Sequence, residues 1–149
     1  MIKKTIGVLT PIIDYYFQKD LRQGIIDEAE KLGYNLVLFC GSVLLRPNKD
    51  SSDNEAVYQL INDSNMVYQL ADTDNIHGII GIGSMLSNFC GPDYYLDYME
   101  RYKDKPIVHA LFDVSDSVCV SIDNYYSSRK LVKHLLDEHS YKNFAYISG

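Results

Sequence analysis

The sequence predicts an α/β domain built on a doubly wound parallel sheet. Short apolar runs rich in β-branched residues alternate along the chain with amphipathic helical segments, and this order is typical of parallel strands joined by helices. The runs are apolar at consecutive positions, as strands are when helices cover both faces of a sheet. The order β-α-β-α-β-α-β-β-α-β, with right-handed crossovers, predicts six strands and four helices.

The first elements are a strand over residues 5–9 and a helix over residues 16–32, in which apolar residues recur at helical spacing. Gly33 follows at the position where a glycine commonly ends a helix. A second strand is predicted over residues 35–40 because the run is apolar on both faces.

The middle of the chain predicts a second helix, a third strand and a third helix. Ser52 and Glu55 have the spacing of a capping box, so the second helix begins there, and we expect the polar residues 62–65 to break it. The third strand covers residues 78–83. Pro92 after Gly91 starts the third helix, since proline suits the first helical position.

Three strands and a helix complete the prediction. The strands cover residues 106–110, 118–122 and 143–147, and the helix covers residues 125–138. Cys40, Cys90 and Cys119 have neither a CxxC nor a zinc-binding spacing, so we expect ordinary buried thiols.

Charge and hydropathy exclude several classes of protein. The net charge is −6 and no lysine or arginine run forms a basic patch, so we expect no direct nucleic-acid contact. Pro11 interrupts the short apolar run at the start, which argues against a signal peptide, and no apolar stretch is long enough to span a bilayer. We therefore expect a cytoplasmic protein that does not enter a membrane.

Several segments, in order, resemble one known family. They are Ile6-Gly-Val-Leu-Thr-Pro11, residues 22–38, Ile76-His-Gly-Ile-Ile80, Lys105-Pro-Ile-Val108, Val120-Ser-Ile-Asp-Asn124, His134-Leu-Leu136 and Phe144-Ala-Tyr-Ile-Ser-Gly149. Together they resemble the type I periplasmic-binding-protein-like family, which includes the ribose-binding protein and regulators of the lactose-repressor type. His77 stands where that family usually has aspartate, and His139-Ser140 departs from its usual His-Gly or Gly-His.

The resemblance implies a Rossmann-like lobe and a division of the chain. In that family two lobes close over a small molecule, and crossing strands form the hinge between them. Residues 1–122 would form the N-terminal lobe, and residues 123–149 would form the hinge crossing and the start of a truncated second lobe. The resemblance further implies a small-molecule effector (a sugar, a nucleoside or a similar compound), a homodimer, and no cofactor.

Three functions are compatible with this sequence. The first is a ligand sensor that passes lobe closure to a fused histidine kinase or diguanylate cyclase, as in bacterial signalling proteins that the chain resembles. The second is the effector-binding domain of a lactose-repressor-type regulator without its DNA-binding part. The third, an enzyme on a flavodoxin-like or response-regulator-like sheet, is disfavoured, because Thr10-Pro-Ile-Ile13 supplies neither paired carboxylates nor a phosphate-binding loop. We expect no enzyme and no catalytic residues.

Ligand contacts are expected where the strands end, since parallel sheets bind ligands beyond the carboxyl ends of their strands. In the family resembled, aromatic and polar side chains occupy these loops. The candidates are Asp14, Tyr15, Tyr16, Ser84, Phe112, Asp113, Asp123 and Asn124. Each has an alternative role: Asp14 as a helix cap, Ser84 as part of a plain turn, and Asp123 as a cap at the hinge.

Histidines give no metal site in this interpretation. His134 and His139 are five residues apart, whereas helical zinc pairs are three or four apart. His109 lies inside a predicted strand, where a histidine in the core or at the edge of the cleft is the expected role.

Overall fold

A computed structural model describes residues 3–11, 16–47, 55–145 and 147 of the chain, without the side chains of residues 16–18. Its strands are β1 (Thr5–Pro11), β2 (Asn35–Gly41), β3 (Gly78–Ile82), β4 (Ile107–Ala110) and β5 (Val118–Val120). They form one sheet in the order β2-β1-β3-β4-β5, and every neighbouring pair is parallel. The predicted doubly wound α/β architecture is confirmed.

The helices lie between the strands, as the sequence predicts. They are α1 (Tyr16–Lys31), α2 (Glu55–Gln69), α3 (Gly83–Leu86), α4 (Pro92–Met99) and α5 (Asn124–Asp137), with a 3-10 turn over Glu100–Tyr102. The short helix α3 was not predicted, because four residues are too few to show a helical period.

Two glycines end or begin helices as predicted. Gly33, after α1, has a φ of 77°, and Gly91, immediately before α4, has a φ of 78°. Both angles lie in the left-handed region, which costs a residue with a side chain about 1–2 kcal/mol. Pro92 occupies the first turn of α4, where its missing N–H is of no consequence.

Alternating side chains of the strands pack on opposite faces of the sheet. On one face Leu9 and Ile79 join α2 and α4 in a large core that includes Tyr68 and Tyr95. On the other face Val8 packs with residues of α1 in a smaller cluster. Helices therefore cover both sides of the central strands, which explains why those strands are apolar at consecutive positions.

Tyrosine supplies much of the larger core. The chain has 13 tyrosines and no tryptophan, and Tyr68, Tyr95 and Tyr102 are fully buried. Each hydroxyl has a partner: Tyr68 donates to the carbonyl of Ser42, Tyr102 donates to the carbonyl of Tyr68, and Tyr95 bonds to His109. Because these hydroxyls are paired, the rings bury their area without leaving an unsatisfied polar group.

Close packing of α4 on the sheet depends on two glycines. A Cβ at Gly81 would lie 2.5 Å from the Tyr95 hydroxyl oxygen, and a Cβ at Gly83 would lie 2.5 Å from the Cβ of Phe112. Both distances are well below van der Waals contact. The motif Gly81-Ile-Gly83 therefore makes room for two aromatic side chains.

Three expectations are wrong. Residues 62–65 do not break α2, which is continuous, because Asn65 bonds across to the loop after β2 instead of to its own helix. Residues 143–145 and 147 form no strand, and we attribute this to the lack of a neighbouring strand with which they could pair. Cys40 is exposed, not buried, since it lies on the edge strand β2.

The second face is uncovered at the edge strand β5. Val118 and Val120, on the edge strand β5, are 63% and 62% exposed, and Ile122 beyond them is 51% exposed. Helix α5, which follows, has no buried residue. Within the described residues, no helix is both long enough and apolar enough to cross a membrane.

We predict that Gly81→Ala lowers the free energy of unfolding by about 1–3 kcal/mol, because the added methyl group collides with the buried Tyr95 hydroxyl. The matched control is Gly24→Ala in α1, where a Cβ would meet nothing within 4 Å and alanine should add about 0.5–1 kcal/mol. Urea denaturation measures both. Equal stability of the two variants would contradict this account of the packing.

Candidate functional site

The carboxyl ends of β1 and β3 are the place where this sheet is expected to bind a ligand. The chain passes from β1 to β2 on one side and then returns to place β3 on the other side of β1. Connections that leave neighbouring strands in opposite directions open a crevice between them. Asp14 and Tyr15, in the loop after β1, lie outside the described residues. Tyr16 begins α1, but its side chain is also outside the described part.

The structure brings Ser84 and Phe112 into the same region. Ser84 is exposed in α3, directly after β3. Phe112, two residues beyond β4, is half-buried, and its Cβ lies against Gly83, the neighbour of Ser84. A residue with a hydroxyl group and an aromatic residue thus follow adjacent strands at the same edge of the sheet.

Backbone geometry directs Phe112 into this position. Leu111 has a φ of 57°, which leucine rarely adopts, and its N–H donates to the carbonyl of Val120 at 2.7 Å. The left-handed turn sends the chain back over the sheet immediately after β4. Phe112 then packs against the ring of Tyr95 with centroids 4.9 Å apart in an edge-to-face arrangement.

Behind Phe112 lies a buried tyrosine–histidine pair that was not among the predicted site residues. The Tyr95 hydroxyl oxygen is 2.8 Å from Nδ1 of His109, and His109 is only 4% exposed. Burial lowers the pKa of His109 from its ordinary 6.5 and raises the pKa of Tyr95. Both side chains are therefore neutral at pH 7, and the expectation of a core or cleft-edge histidine is confirmed.

The candidates after β4 and β5 are spread along the edge. Asp113 is exposed next to Phe112. Asp123 caps α5, since its carboxylate accepts a hydrogen bond from the backbone N–H of Tyr126 at 2.7 Å, so the alternative capping role is present in the structure. Asn124 is the first residue of α5. Because β5 lies two strands from β3, roughly 10 Å away, the structure does not bring Asp123 and Asn124 together with Ser84.

Two residues missed in the sequence lie at the same edge. Arg46 is exposed five residues after β2, donates a hydrogen bond from Nε to the carbonyl of Cys90, and has its guanidinium 6.0 Å from the ring centroid of Tyr94. Phe89, next to Cys90, is 68% exposed. The sequence could have pointed to them, since Arg46 is a charged residue in the loop after β2 and Phe89 is an aromatic residue after β3. The contact that places Arg46 next to the Phe89 segment was not visible in the sequence.

The loop that carries Arg46 is anchored from below by α2. The side-chain amide of Asn65 accepts from the N–H of Ser42 at 2.7 Å and donates to the carbonyl of Val43 at 2.9 Å. Tyr68, one turn further along, donates to the carbonyl of Ser42, and Gly41 leaves space for its ring. The start of the loop is therefore fixed, since its backbone groups are paired with buried side chains.

No group of three possible metal ligands occurs among the described residues. The Nε2 atoms of His134 and His139 are 3.2 Å apart, closer than their spacing in sequence suggests, because His139 lies beyond the end of α5. The part of the chain that the structure describes supplies this pair with no third ligand.

Comparison with solved structures identifies the fold. A LacI family transcriptional regulator from Weissella paramesenteroides with bound sucrose is 16% identical, with a TM-score of 0.59, over 97% of this chain and 49% of that one. A periplasmic binding protein/LacI transcriptional regulator from Alkaliphilus metalliredigens, complexed with D-xylulofuranose, is 21% identical, with a TM-score of 0.55, over 91% and 42%. This chain has the LacI and periplasmic-binding-protein fold.

A third structure, the XylFII molecule, has a TM-score of 0.52 at 17% identity and covers 93% of this chain and 45% of its own length. The chain thus spans less than half the length of the proteins it matches. No protein-family model and no curated protein matches it. The resemblance found in the sequence is confirmed for the LacI and periplasmic-binding-protein fold.

We predict that Asn65→Ala lowers the free energy of unfolding by about 1–3 kcal/mol, because the partly buried N–H of Ser42 and carbonyl of Val43 both lose their partner. Asn62→Ala is the control on the same helix, since Asn62 is exposed and its replacement should be neutral or slightly stabilising. Thermal or urea unfolding compares the two. If the variants have the same stability, Asn65 does not anchor the loop.

Proposed function

We propose that this chain is part of a sensor domain that binds a sugar or a similar polar small molecule at the carboxyl edge of its sheet. The observation that carries the proposal is the packing of Phe112 against Gly83, the neighbour of the exposed Ser84, at the carboxyl end of β3. Two structures with the same fold hold sucrose and D-xylulofuranose, which supports a sugar as the ligand.

The chemistry of this edge fits a carbohydrate. A half-buried ring such as that of Phe112 offers an apolar face to the C–H groups of a sugar and loses little entropy on binding. Ser84 and Asp113 are exposed beside it and supply a hydroxyl and a carboxylate for sugar hydroxyls. Arg46 and Phe89 would extend the same edge toward β2. The proposal also includes Asp14, Tyr15 and Tyr16, which follow β1.

We propose that residues 1–122 form the N-terminal lobe and that residues 123–149 form a crossing and the start of a second lobe. Two features support this division. Asp123 caps a new helix directly after the last strand of the sheet, and that helix has no buried residue, so it does not belong to either face of the first lobe. Asp123 and Asn124 would then contact a ligand from the hinge.

Closure of two lobes around a ligand would be passed to an output domain, because a ligand shifts a conformational equilibrium by its difference in affinity for the two states. The output proposed from the sequence is a histidine kinase or a diguanylate cyclase. An effector-binding domain of a LacI-type regulator fits the structural neighbours no worse. In both cases the protein would act in the cytoplasm and carry out no catalysis in this segment. The coding sequence on either side discriminates between the two.

We predict that the full gene product binds sucrose or D-xylulose in isothermal titration and that Phe112→Leu and Ser84→Ala weaken this binding. Loss of ring stacking or of one hydrogen bond is worth about 0.5–1.5 kcal/mol, or roughly two- to tenfold in affinity. Leucine at position 112 keeps an apolar contact with Gly83, so the fold is retained.

Tyr34→Leu is the matched control, because Tyr34 is a partly exposed aromatic residue immediately before β2, at the opposite edge of the sheet. The affinity of the Tyr34→Leu variant for the sugar should equal that of the wild type. A protein that binds neither these sugars nor nucleosides, or one whose affinity all three substitutions leave unchanged, would contradict the proposal.

A homodimer is the proposed assembly. Val118, Val120 and Ile122 form an exposed apolar strip on the edge strand and just beyond it, and soluble monomers rarely leave large apolar patches uncovered. Sedimentation equilibrium of the full gene product should give twice the mass of one chain. The double variant Val118→Ser/Val120→Ser should lower the dimer fraction, whereas Val57→Ser, exposed on α2, should not. A wild-type monomer at all concentrations would refute the dimer.

A further inference from the structure

Tyr95 and His109 lie directly behind Phe112, and neither belongs to the proposed contact surface. Tyr95 is fully buried and its hydroxyl oxygen is 2.8 Å from Nδ1 of His109. The ring of Tyr95 also meets the ring of Phe112 edge to face. One side chain thus connects a buried titratable group to the aromatic residue at the edge of the site.

The direction of the hydrogen bond follows from the remaining partners. We assign the phenol as the donor to Nδ1 of His109, because Tyr95 is fully buried without another acceptor among the described residues, whereas His109 also lines a groove at the surface. The imidazole then carries its proton on Nε2, which is the neutral tautomer with a free acceptor at Nδ1. A buried phenol with its proton paired is the arrangement that costs least.

We propose that Tyr95 and His109 are positioning residues of the ligand site, which hold the ring of Phe112 at the carboxyl edge only while the imidazole is neutral. The part of this inference that concerns ligand affinity rests on the proposed function. The part that concerns the position of Phe112 does not, and it can be measured without a ligand.

Protonation of His109 breaks the arrangement. Both ring nitrogens of the imidazolium are donors, so Nδ1–H now donates to the phenol oxygen, and the O–H of the buried Tyr95 is left without an acceptor among the described residues. Tyr95 cannot move toward the sheet, because Gly81 already leaves it no spare space. A buried hydroxyl without a partner is costly, so we expect the ring of Tyr95 to turn toward a new partner and Phe112, which packs against it, to shift with it.

The surroundings of His109 allow a proton to reach the imidazole but do not stabilise the protonated form. His109 lies in a groove between the 3-10 turn and the loop before β5, together with Glu100, Lys103 and Asp116. These three charged side chains are exposed, so solvent screens them. Cys119, the register partner of His109 on β5, is the other titratable neighbour. Burial accordingly dominates, and it lowers the pKa of His109.

The sign of the effect follows from that direction. An unfolded histidine titrates near 6.5 and the folded His109 titrates lower, so the folded state binds fewer protons in the interval between the two values. Stability from the neutral pair is complete above pH 6.5 and is lost as the pH falls through this interval. Phe112 should leave its neutral-pH position as His109 becomes protonated in the folded protein.

The test is an aromatic NMR titration of the ligand-free full gene product from pH 7.5 to pH 5, with phenylalanine and histidine labelled with carbon-13. Phe112→Leu assigns the Phe112 signal. In the wild type, the Phe112 signal should move with the same midpoint as His109, below pH 6.5. A Phe112 signal that stays constant while His109 titrates would overturn the proposal without any variant.

Two variants separate a positioning role from a merely structural one. Tyr95→Phe keeps the ring and removes the hydroxyl, and His109→Asn keeps an acceptor that does not titrate. In both, the pH dependence of the Phe112 signal should disappear, and His109→Asn should keep the neutral-pH position of Phe112. An unchanged titration of Phe112 in Tyr95→Phe would also overturn the proposal.

Titration with sucrose gives the second readout. The affinity of the wild type for sucrose should fall roughly two- to tenfold between pH 7.5 and pH 5, which corresponds to the loss of one hydrogen bond. The affinity of His109→Asn should show no such fall. If sucrose does not bind at any pH, the choice of ligand is wrong but the Phe112 titration still decides the positioning role. Binding with the same pH dependence in both proteins would contradict that role.

Discussion

The close approach of Tyr95 to the backbone of β3 is the constraint on which the candidate site depends. Gly81 allows the phenol to reach the sheet, and Gly83 allows Phe112 to lie over the start of α3. A side chain at either glycine would push an aromatic residue outward. The same packing sets the distance between α4 and the sheet, so the larger core and the candidate ligand edge are held by one set of contacts.

The two faces of the sheet differ in how they are stabilised. On the face of α2 and α4, three buried tyrosines link helix, loop and strand through their hydroxyls, which fixes the register of the helices as well as burying area. On the face of α1 the cluster is smaller and purely apolar, and the valines of β5 on this side remain exposed.

Local patterns in the sequence were sufficient to predict the fold. Strand and helix periodicity predicted all five observed strands and four of the five helices, and Gly33 and Pro92 marked helix ends, because these signals depend only on neighbouring residues. The predictions that were wrong concern residues whose conformation depends on contacts with residues distant in the sequence. Asn65 has the sequence signal of a helix breaker, but its side chain bonds to Ser42 and Val43 and the helix continues. Residues 143–147 have the composition of a strand, but residues 143–145 and 147 form none.

For the candidate site, the sequence could predict only which residues follow the ends of the strands. The rule that ligands bind at the carboxyl edge selected Ser84 and Phe112, which the structure brings together. It also selected Asp123, whose carboxylate caps α5. Arg46 and the pair Tyr95–His109 were missed because their roles depend on contacts between segments 14 to 44 residues apart, and no local pattern encodes these contacts.

We propose that the carboxyl edge of the sheet, at β3 and β4, binds a polar small molecule. The most direct test is amide NMR of the nitrogen-15-labelled full gene product during titration with sucrose and D-xylulose. The account predicts saturable shifts that are largest at residues 83–84 and 112–113. Shifts that are largest at the amino-terminal edge, around residues 34–35 and 76–77, or the absence of a saturable shift with either sugar, would contradict it.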